Sequence, residues 1–96
     1  MSQIIEKAVE KLNEKVGTRF DAVAKFVITD EGAIMLDASG ARAGDEEADV
    51  TMTASADTFI GLLTGDVNPT MAFMTGKLKV DGSMGLAMKL GSVLSS

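Results

Sequence analysis

The side chains with the greatest capacity for chemistry in this sequence are carboxylates, because it contains no histidine, cysteine or tyrosine. Four of them lie close together at Asp45, Glu46, Glu47 and Asp49 and are candidate metal ligands. Calcium loops, however, space their oxygen ligands around a turn glycine and end with a distal glutamate. That pattern is absent here. We therefore interpret the cluster as a solvated acidic loop and expect no metal site.

Catalysis is poorly supported by the residue types. Without histidine, cysteine or tyrosine, an enzyme would depend on aspartate, glutamate, serine or lysine alone. The carboxylates fall mostly on predicted loops and helix surfaces, and no spacing brings two of them together. The sequence therefore predicts a protein that is not an enzyme and uses no cofactor.

Two glycine motifs are too incomplete to define a nucleotide or nucleic-acid site. Gly76-Lys77 lacks the earlier glycine of a phosphate loop, because that position is Met71, and Leu78 replaces the required hydroxyl residue. The tetrapeptide at residues 82–85, GSMG, matches the short GxxG loop of RNA-binding KH domains. It contains no basic residue, and the chain has a net charge of −5. We expect no nucleic-acid partner.

Length and hydropathy fit a single domain that spans residues 1–96. No uninterrupted run of apolar residues and glycine is longer than five residues, as at 59–63 and 84–88, which is far too short to cross a membrane. The N-terminus is charged too early for a signal peptide, and the last residues, LSS, are not a peroxisomal signal. We expect a cytoplasmic protein.

Periodicity in the first half predicts a helix and three strands. Apolar residues recur at helical spacing from Ile4 to Val16, after a candidate cap at Ser2 and before a terminating Gly17. Residues 19–29 and 33–39 alternate as strands of a hairpin, and residues 49–55 alternate again. Residues 40–47 are interpreted as a polar loop.

Start and stop signals predict three helices and one strand in the second half. Ser55 caps a helix that ends at Gly65, and Asn68 with Pro69 begins another that ends at Gly76. Residues 77–81 alternate as a strand, and a last helix follows Gly82-Ser83. Consecutive strands in the first half favour an antiparallel sheet with the helices gathered on one face.

Methionine is the dominant flexible apolar residue, with seven methionines against four phenylalanines. Two interpretations remain open. Methionines can fill gaps in an ordinary core, or they can line an adaptable pocket for a flexible lipid chain. Gly85 and Gly91 lie within the last predicted helix, where each costs about 1 kcal/mol relative to alanine. A helix weakened in this way suits a mobile cover, an idea that amide exchange would test.

The stretch from Leu62 to Leu90 resembles the sterol carrier protein type 2 family of lipid-transfer domains. The residues that carry the resemblance follow the family's pattern through a helix end, a capped helix, a strand and the last helix: Leu62, Gly65, Asn68, Pro69, Ala72, Phe73, Gly76, Lys77, Leu78, Lys79, Gly82 and Met84 to Leu90. The resemblance implies an α+β fold, with a five-stranded, mainly antiparallel sheet covered on one face by four to five helices. It implies an apolar tunnel between the layers. The fifth strand would lie in residues 40–49 or arise from a bend in the long first strand.

The resemblance also implies non-catalytic binding of an apolar lipid: a fatty acyl chain, acyl-CoA, phospholipid, sterol or isoprenoid. Because the family's peroxisomal signal is missing and the chain ends soon after the last helix, we expect a free-standing bacterial-type domain with a more open tunnel. A sterol is then not the favoured ligand. The candidate lipid-binding residues come from the sheet, the second helix and the C-terminal third: Phe26, Leu36, Met52, Phe59, Ile60, Leu63, Met71, Phe73, Met74, Met84, Ala87 and Met88.

Several partners remain open at this point. Lys77, Lys79 or Lys89 could contact an anionic head group, although solvated surface lysines are the simpler interpretation. The protein could be a monomer or a homodimer, with no stable membrane insertion but with transient membrane contact. The alternatives to a lipid carrier are an accessory subunit that presents an isoprenoid or quinone intermediate to enzymes, and a homodimeric interaction module without a ligand.

Overall fold

Nine helices and strands make up the part of the chain that the structure describes, residues 3–17 and 20–95 of a computed structural model. In chain order they are α1 (Gln3–Lys15), β1 (Ala24–Ile28), β2 (Gly32–Asp37), β3 (Gly40–Ala43), β4 (Val50–Ala54), α2 (Ala56–Thr64), α3 (Pro69–Met74), β5 (Leu78–Gly82) and α4 (Met84–Ser95). The α+β class expected from the sequence is confirmed.

The helices begin and end where the sequence predicts. The Ser55 hydroxyl accepts a hydrogen bond from the Thr58 N–H and caps α2, which ends at Gly65 with φ of +87°. The Asn68 side chain caps α3, with Pro69 as the first helical residue. Gly17, with φ of +57°, follows the end of α1. These positive φ angles favour glycine. The predicted cap at Ser2 lies outside the described residues.

Two predictions about the first strands are corrected. The strand predicted at residues 19–29 begins only at Ala24, which pairs with Leu36 on one side and Val50 on the other. The parallel register of β1 and β4 starts at the pair Ala24 and Val50, which is also where β4 begins. The predicted start at Arg19 lies outside the described residues. The polar loop predicted at residues 40–47 is also wrong, since residues 40–43 form β3. This is the fifth strand that the resemblance located in residues 40–49.

The five strands form a mixed sheet in the order β3-β2-β1-β4-β5. The pairs β1–β2, β2–β3 and β4–β5 are antiparallel, whereas the central pair β1–β4 is parallel. The parallel centre departs from the mainly antiparallel sheet that the sequence indicated. Alternation in sequence has the same period in both kinds of strand, so it did not distinguish them.

One face of the sheet packs against the helices and forms the core. Phe26 lies beside Ile34 on β2 and Met52 on β4, and Met52 lies beside Val80 on β5. The ring of Phe26 contacts that of Phe59 on α2, with centroids 5.1 Å apart. No polar or charged residue is buried within the described ranges. The core therefore depends on apolar packing.

The other face of the sheet is partly covered by residues 44–49, which connect β3 to β4. The Lys25 ammonium lies 2.9 Å from an Asp45 carboxylate oxygen, and the Glu46 N–H lies 3.4 Å from Met35 Sδ. The Arg42 guanidinium contacts the carboxylates of Asp37 and Glu46. Asp45 and Glu46 of the acidic loop thus pair with basic residues of the sheet, while both carboxylates stay largely exposed. Within residues 3–17 and 20–95 no acidic group is arranged to hold a metal ion.

The helices that the structure describes are all too short or too polar to cross a membrane.

Candidate functional site

An apolar groove lies between α3 and α4, above the last two strands of the sheet. It has a volume of about 350 Å³, within the range of roughly 300–1,000 Å³ that is usual for small-molecule sites. The residues that line it come from β4, the start of α3, β5 and α4: Met52, Asn68, Pro69, Thr70, Phe73, Leu78, Val80, Met84, Ala87, Met88, Gly91 and Ser92.

The floor of the groove is set by alternation along β4 and β5. Leu78 and Val80 are two residues apart and therefore point to the same face of the sheet. Val80 is the register partner of Met52, which extends this apolar surface onto β4. Met52 and Leu78 are buried. The floor is therefore a continuous apolar surface that the fold holds in place.

The first wall is the short helix α3, which is fixed at both ends by hydrogen bonds. Asn68 Oδ1 accepts from the N–H groups of Thr70 and Met71, at 2.9 and 3.2 Å. The Thr75 hydroxyl donates to the carbonyl of Met71 at 2.9 Å. Pro69 and Phe73 are one helical turn apart and both line the groove. The caps thus position an apolar wall.

The second wall is a stripe of side chains along α4. Ser83 begins this helix, since its hydroxyl accepts from the Leu86 N–H at 3.2 Å. Met84, Met88 and Gly91 then follow at helical spacing on the groove side. A Cβ atom at Gly91 would lie 3.4 Å from Pro69 Cβ, so α3 and α4 approach each other closely at this point. Because Gly91 has no side chain, the two walls of the groove can lie close together here.

The groove opens to the surface beside its methionines. Met88 is 73% exposed, and Phe73 and Met84 are 44% and 45% exposed. A closed tunnel therefore stays a prediction. None of the described residues that line the groove is charged, and its polar groups are the side chains of Asn68, Thr70 and Ser92. Such a site can hold an apolar chain, and none of the described residues that line it is an acid or a base that could activate the hydroxyls of Thr70 and Ser92.

The candidate residues from the sequence fall into three groups. Five line the groove: Met52, Phe73, Met84, Ala87 and Met88. Four are buried in the core away from it: Phe26, Leu36, Phe59 and Leu63. Three are exposed on helices without lining it: Ile60, Met71 and Met74. A role in ligand binding remains a prediction for all of them.

Sequence reasoning missed seven of the lining residues. They are Asn68, Pro69, Thr70, Leu78, Val80, Gly91 and Ser92. Signals existed for some of them, because Leu78 and Val80 alternate inward on the predicted strand and Asn68 and Pro69 mark the start of a helix. Those patterns identify elements, but they do not show which elements border a groove.

The three candidate head-group lysines have different surroundings. Lys89 Nζ lies 2.8 Å from Asp21 Oδ1, and this hydrogen bond, with the lysine charge, lowers the pKa of Asp21. Lys77 precedes the floor residue Leu78 and is exposed. Lys79 alternates with Leu78 and Val80 and so lies on the opposite face of the sheet. In the described part of the chain, no carboxylate pairs with Lys77 or Lys79.

Comparisons with known proteins give a consistent result. Residues 2–95 match the model of the SCP-2 sterol transfer family. Hydroxysteroid dehydrogenase-like protein 2 from Xenopus tropicalis is 40% identical over 97 residues, covering 92% of this chain and 23% of that protein. Sterol carrier protein 2 from Homo sapiens is 35% identical over 96 residues, covering 90% of this chain and 18% of that protein. The chain therefore matches only a minor part of these relatives.

A solved structure supports the fold independently. Sterol Carrier Protein-2 from Aedes aegypti, determined in complex with the C16 fatty acid palmitate, superposes with a TM-score of 0.81. The match covers 99% of this chain and 97% of that one, at 21% sequence identity. At this identity the similarity concerns the arrangement of helices and strands.

Proposed function

This chain belongs to the SCP-2 sterol transfer family, and on that premise we propose that it binds the apolar chain of a lipid in the groove between α3 and α4 without catalysing a reaction. The observation that carries the proposal is the character of the groove itself. Its floor is buried and apolar, and the described side chains that line it carry no charge. Burial of a chain there would stabilise the complex by about 0.8 kcal/mol per methylene.

A long-chain fatty acid is the ligand class best supported. The Aedes aegypti protein of the same fold was solved with palmitate, which is an acyl chain with one anionic end. In this protein the acyl chain would lie on Met52, Leu78 and Val80. The carboxylate would remain at the surface, because the described lining has no cation to pair with it. Lys77, which is exposed and directly precedes the floor, is the candidate for contact with that carboxylate.

Titration of palmitate against the protein tests this proposal. The double variant Met84→Ser/Met88→Ser removes two apolar side chains from the second wall, both exposed enough for the fold to persist. We expect its affinity for palmitate to fall about tenfold. Ile60 is similarly exposed on α2 but does not line the groove, so in this proposal it does not contact the acyl chain, and Ile60→Ser should bind palmitate as the wild type does. Equal affinity in the double variant and the wild type would contradict the assignment of the groove.

Native mass spectrometry of the protein purified from cells tests the wider class of function. A monomer that carries a co-purifying lipid supports a carrier, and the mass of the lipid identifies its class. A dimer that persists on dilution and carries no lipid would instead favour an interaction module. Capture of biosynthetic enzymes together with a bound isoprenoid would favour the accessory subunit.

A further inference from the structure

The sheet ends at two edge strands, β3 and β5, and these two edges differ. On β3, the Asn13 side chain bonds to both polar backbone groups of Ala41. On β5, within the described ranges, no hydrogen bond joins the backbone of residues 78–82 to any group outside its ladder with β4. An open edge strand is a template for pairing with a further strand.

The ladder between β4 and β5 determines which backbone groups of β5 face the open edge. The Ser83 N–H donates to the Asp49 carbonyl at 3.1 Å, so these two residues form a hydrogen-bonded pair. Such pairs alternate along an antiparallel ladder, so the polar backbone groups of Lys79 and Asp81 also point to β4. Those of Val80, the middle residue of β5, therefore point to the open edge.

The side chains of β5 carry opposite charges on either side of Val80. Lys79 and Asp81 are exposed on the face of the sheet opposite the groove. Neither forms an ion pair in the part of the chain that the structure describes. Val80 points to the other face, where it is half-buried and lines the groove. When this segment is reversed, each charge therefore comes to lie where its opposite was.

From this arrangement we infer that β5 pairs antiparallel with β5 of a second copy of the chain, about a two-fold axis at Val80. The Val80 N–H of each copy would donate to the Val80 carbonyl of the other. Lys79 of each copy would lie opposite Asp81 of the other, which gives two ion pairs. The two sheets would join into one. The Val80 side chains would meet on the helix side, so the grooves of the two copies would adjoin.

The charges also select the register of this pairing. Residues with outward backbone groups can pair only with one another, so the axis can move along β5 only by whole residues. An axis at Lys79 would place that lysine opposite itself, and an axis at Asp81 would do the same with the carboxylate. Like charges directly opposite each other are destabilising. The axis at Val80 avoids both contacts and overlaps the full length of β5.

Sedimentation equilibrium of the full chain tests the inference. We expect a weak dimer that dissociates on dilution, and slower amide exchange at Val80 as the concentration rises. Asp81→Lys makes both cross-strand pairs like-charged and should raise the dimer Kd about tenfold, as should Lys79→Asp. Glu10→Lys makes the same change of charge as Asp81→Lys on the exposed side of α1. It is the matched control and should leave the Kd unchanged.

A mixture of the two charge variants tests the register directly. Asp81→Lys places two lysines on β5 and Lys79→Asp places two aspartates there, so a mixed dimer regains both ion pairs. Its Kd should lie within about twofold of the wild-type value. Val80→Pro removes the outward N–H but no hydrogen bond to β4, and an edge strand tolerates proline at such a position. It should raise the Kd about tenfold.

Three results would overturn the inference. They are a wild type that is still monomeric at about 1 mM, an Asp81→Lys variant that dimerises as the wild type does, and a mixture that associates no more tightly than its two components. Exchange protection at Val80 that does not depend on concentration would also overturn it, because the edge would then be covered within one chain.

The dimer and the proposed function can fail separately, because Asp81 does not line the groove. In dilute solution, where both proteins are monomers, Asp81→Lys should bind palmitate as the wild type does. A wild type that dimerises but binds no palmitate would overturn the proposed function alone. A wild type that binds palmitate and stays monomeric at about 1 mM would overturn only the dimer.

Discussion

The side-chain amide of Asn13 on α1 pairs with both polar backbone groups of Ala41 on β3. Asn13 Oδ1 accepts from the Ala41 N–H at 2.8 Å, and Asn13 Nδ2 donates to the Ala41 carbonyl at 3.2 Å. The neighbouring Gly40 makes this approach possible, because a Cβ atom there would lie 2.8 Å from Asn13 Oδ1. The outer side of an edge strand is thus closed by a helix side chain rather than by another strand.

Replacement of Asn13 by alanine should lower the free energy of unfolding by about 1 kcal/mol, since two partly solvated hydrogen bonds are lost. Urea denaturation would measure the change. Glu10→Ala, on the same helix and also exposed, is the control and should change stability by less than about 0.5 kcal/mol. Equal stability of the two variants would show that the pairing with Ala41 contributes nothing.

Gly61 on α2 allows Val67 to pack directly against the helix. A Cβ atom at position 61 would lie 2.3 Å from Val67 Cγ2 and 3.1 Å from Val67 Cβ. Valine is stiff at χ1, so it cannot easily turn aside. Gly61→Ala should therefore lower the free energy of unfolding by about 1–3 kcal/mol, even though alanine is the better helix former.

A double-mutant cycle separates this clash from other effects. In Gly61→Ala/Val67→Ala both γ-methyl groups of Val67 are gone, so the double variant should recover part of the stability lost by the first substitution. The coupling between the two sites should reach about 1 kcal/mol. Additive losses would mean that the backbone, rather than Val67, opposes a side chain at position 61.

Local chemistry made the helices predictable, whereas the sheet depended on tertiary contacts. Ser55 and Asn68 cap their helices through their own side chains, so sequence position alone sufficed. Strand β3 is short and, with the sequence GARA, contains no β-branched or aromatic residue; it forms because β2 pairs along it. The parallel pairing of β1 with β4 could not be predicted from the sequence either, because it depends on the path that residues 44–49 take across the sheet.

The sequence predicted the apolar character of the candidate site, but it did not predict which residues line the groove. Methionine content and the C-terminal motif indicated an apolar site, and the groove contains Met52, Met84 and Met88. Hydrophobicity could not separate these residues from Phe26 and Phe59, whose rings pack together in the core. That distinction depends on where α3 and α4 leave a gap, which no single stretch of sequence encodes.

The ion pair between Asp21 and Lys89 gives a prediction about pH. Lys89 lowers the pKa of Asp21 below its ordinary value of 3.8, first through the hydrogen bond and then through its charge. A lowered pKa in the folded state means that the pair stabilises the fold above pH 3.8, and that this contribution is lost as pH falls through the folded-state pKa.

Carbon-detected NMR titration of the Asp21 carboxyl group would measure this shift directly. In Lys89→Gln the titration midpoint should rise toward the ordinary value, because the cation and its hydrogen bond are removed. Both side chains are exposed, so the effect on stability should be small and should weaken with added salt. A midpoint that is the same in both proteins would show that Lys89 is free in solution and available to a head group.

Substitutions at the two glycines of α4, Gly85 and Gly91, test whether this helix opens as a mobile cover or forms a rigid wall of the groove. Gly85 faces open space, since a Cβ atom there would have only Ser83 Oγ nearby, at 3.9 Å, whereas Gly91 lies against Pro69. Alanine fits at both positions, because a Cβ atom at Gly91 would be in ordinary contact at 3.4 Å. Both alanine variants should therefore raise stability by up to about 1 kcal/mol. Both should also slow amide exchange in α4, if glycine flexibility is what allows this helix to open.

Leucine at the same two positions should separate the effect of helix flexibility from the effect of the volume available in the groove. Gly91→Leu places a large side chain between α3 and α4, so palmitate affinity should fall about tenfold as the groove is filled. Gly85→Leu directs the same side chain to solvent and should leave the affinity unchanged, which makes it the matched control. Exchange protection of α4 equal to that of β1 and β4 in the wild type would refute the mobile cover. In that case Gly91→Leu should still block palmitate, because the groove would be a preformed space whose width is set at Gly91.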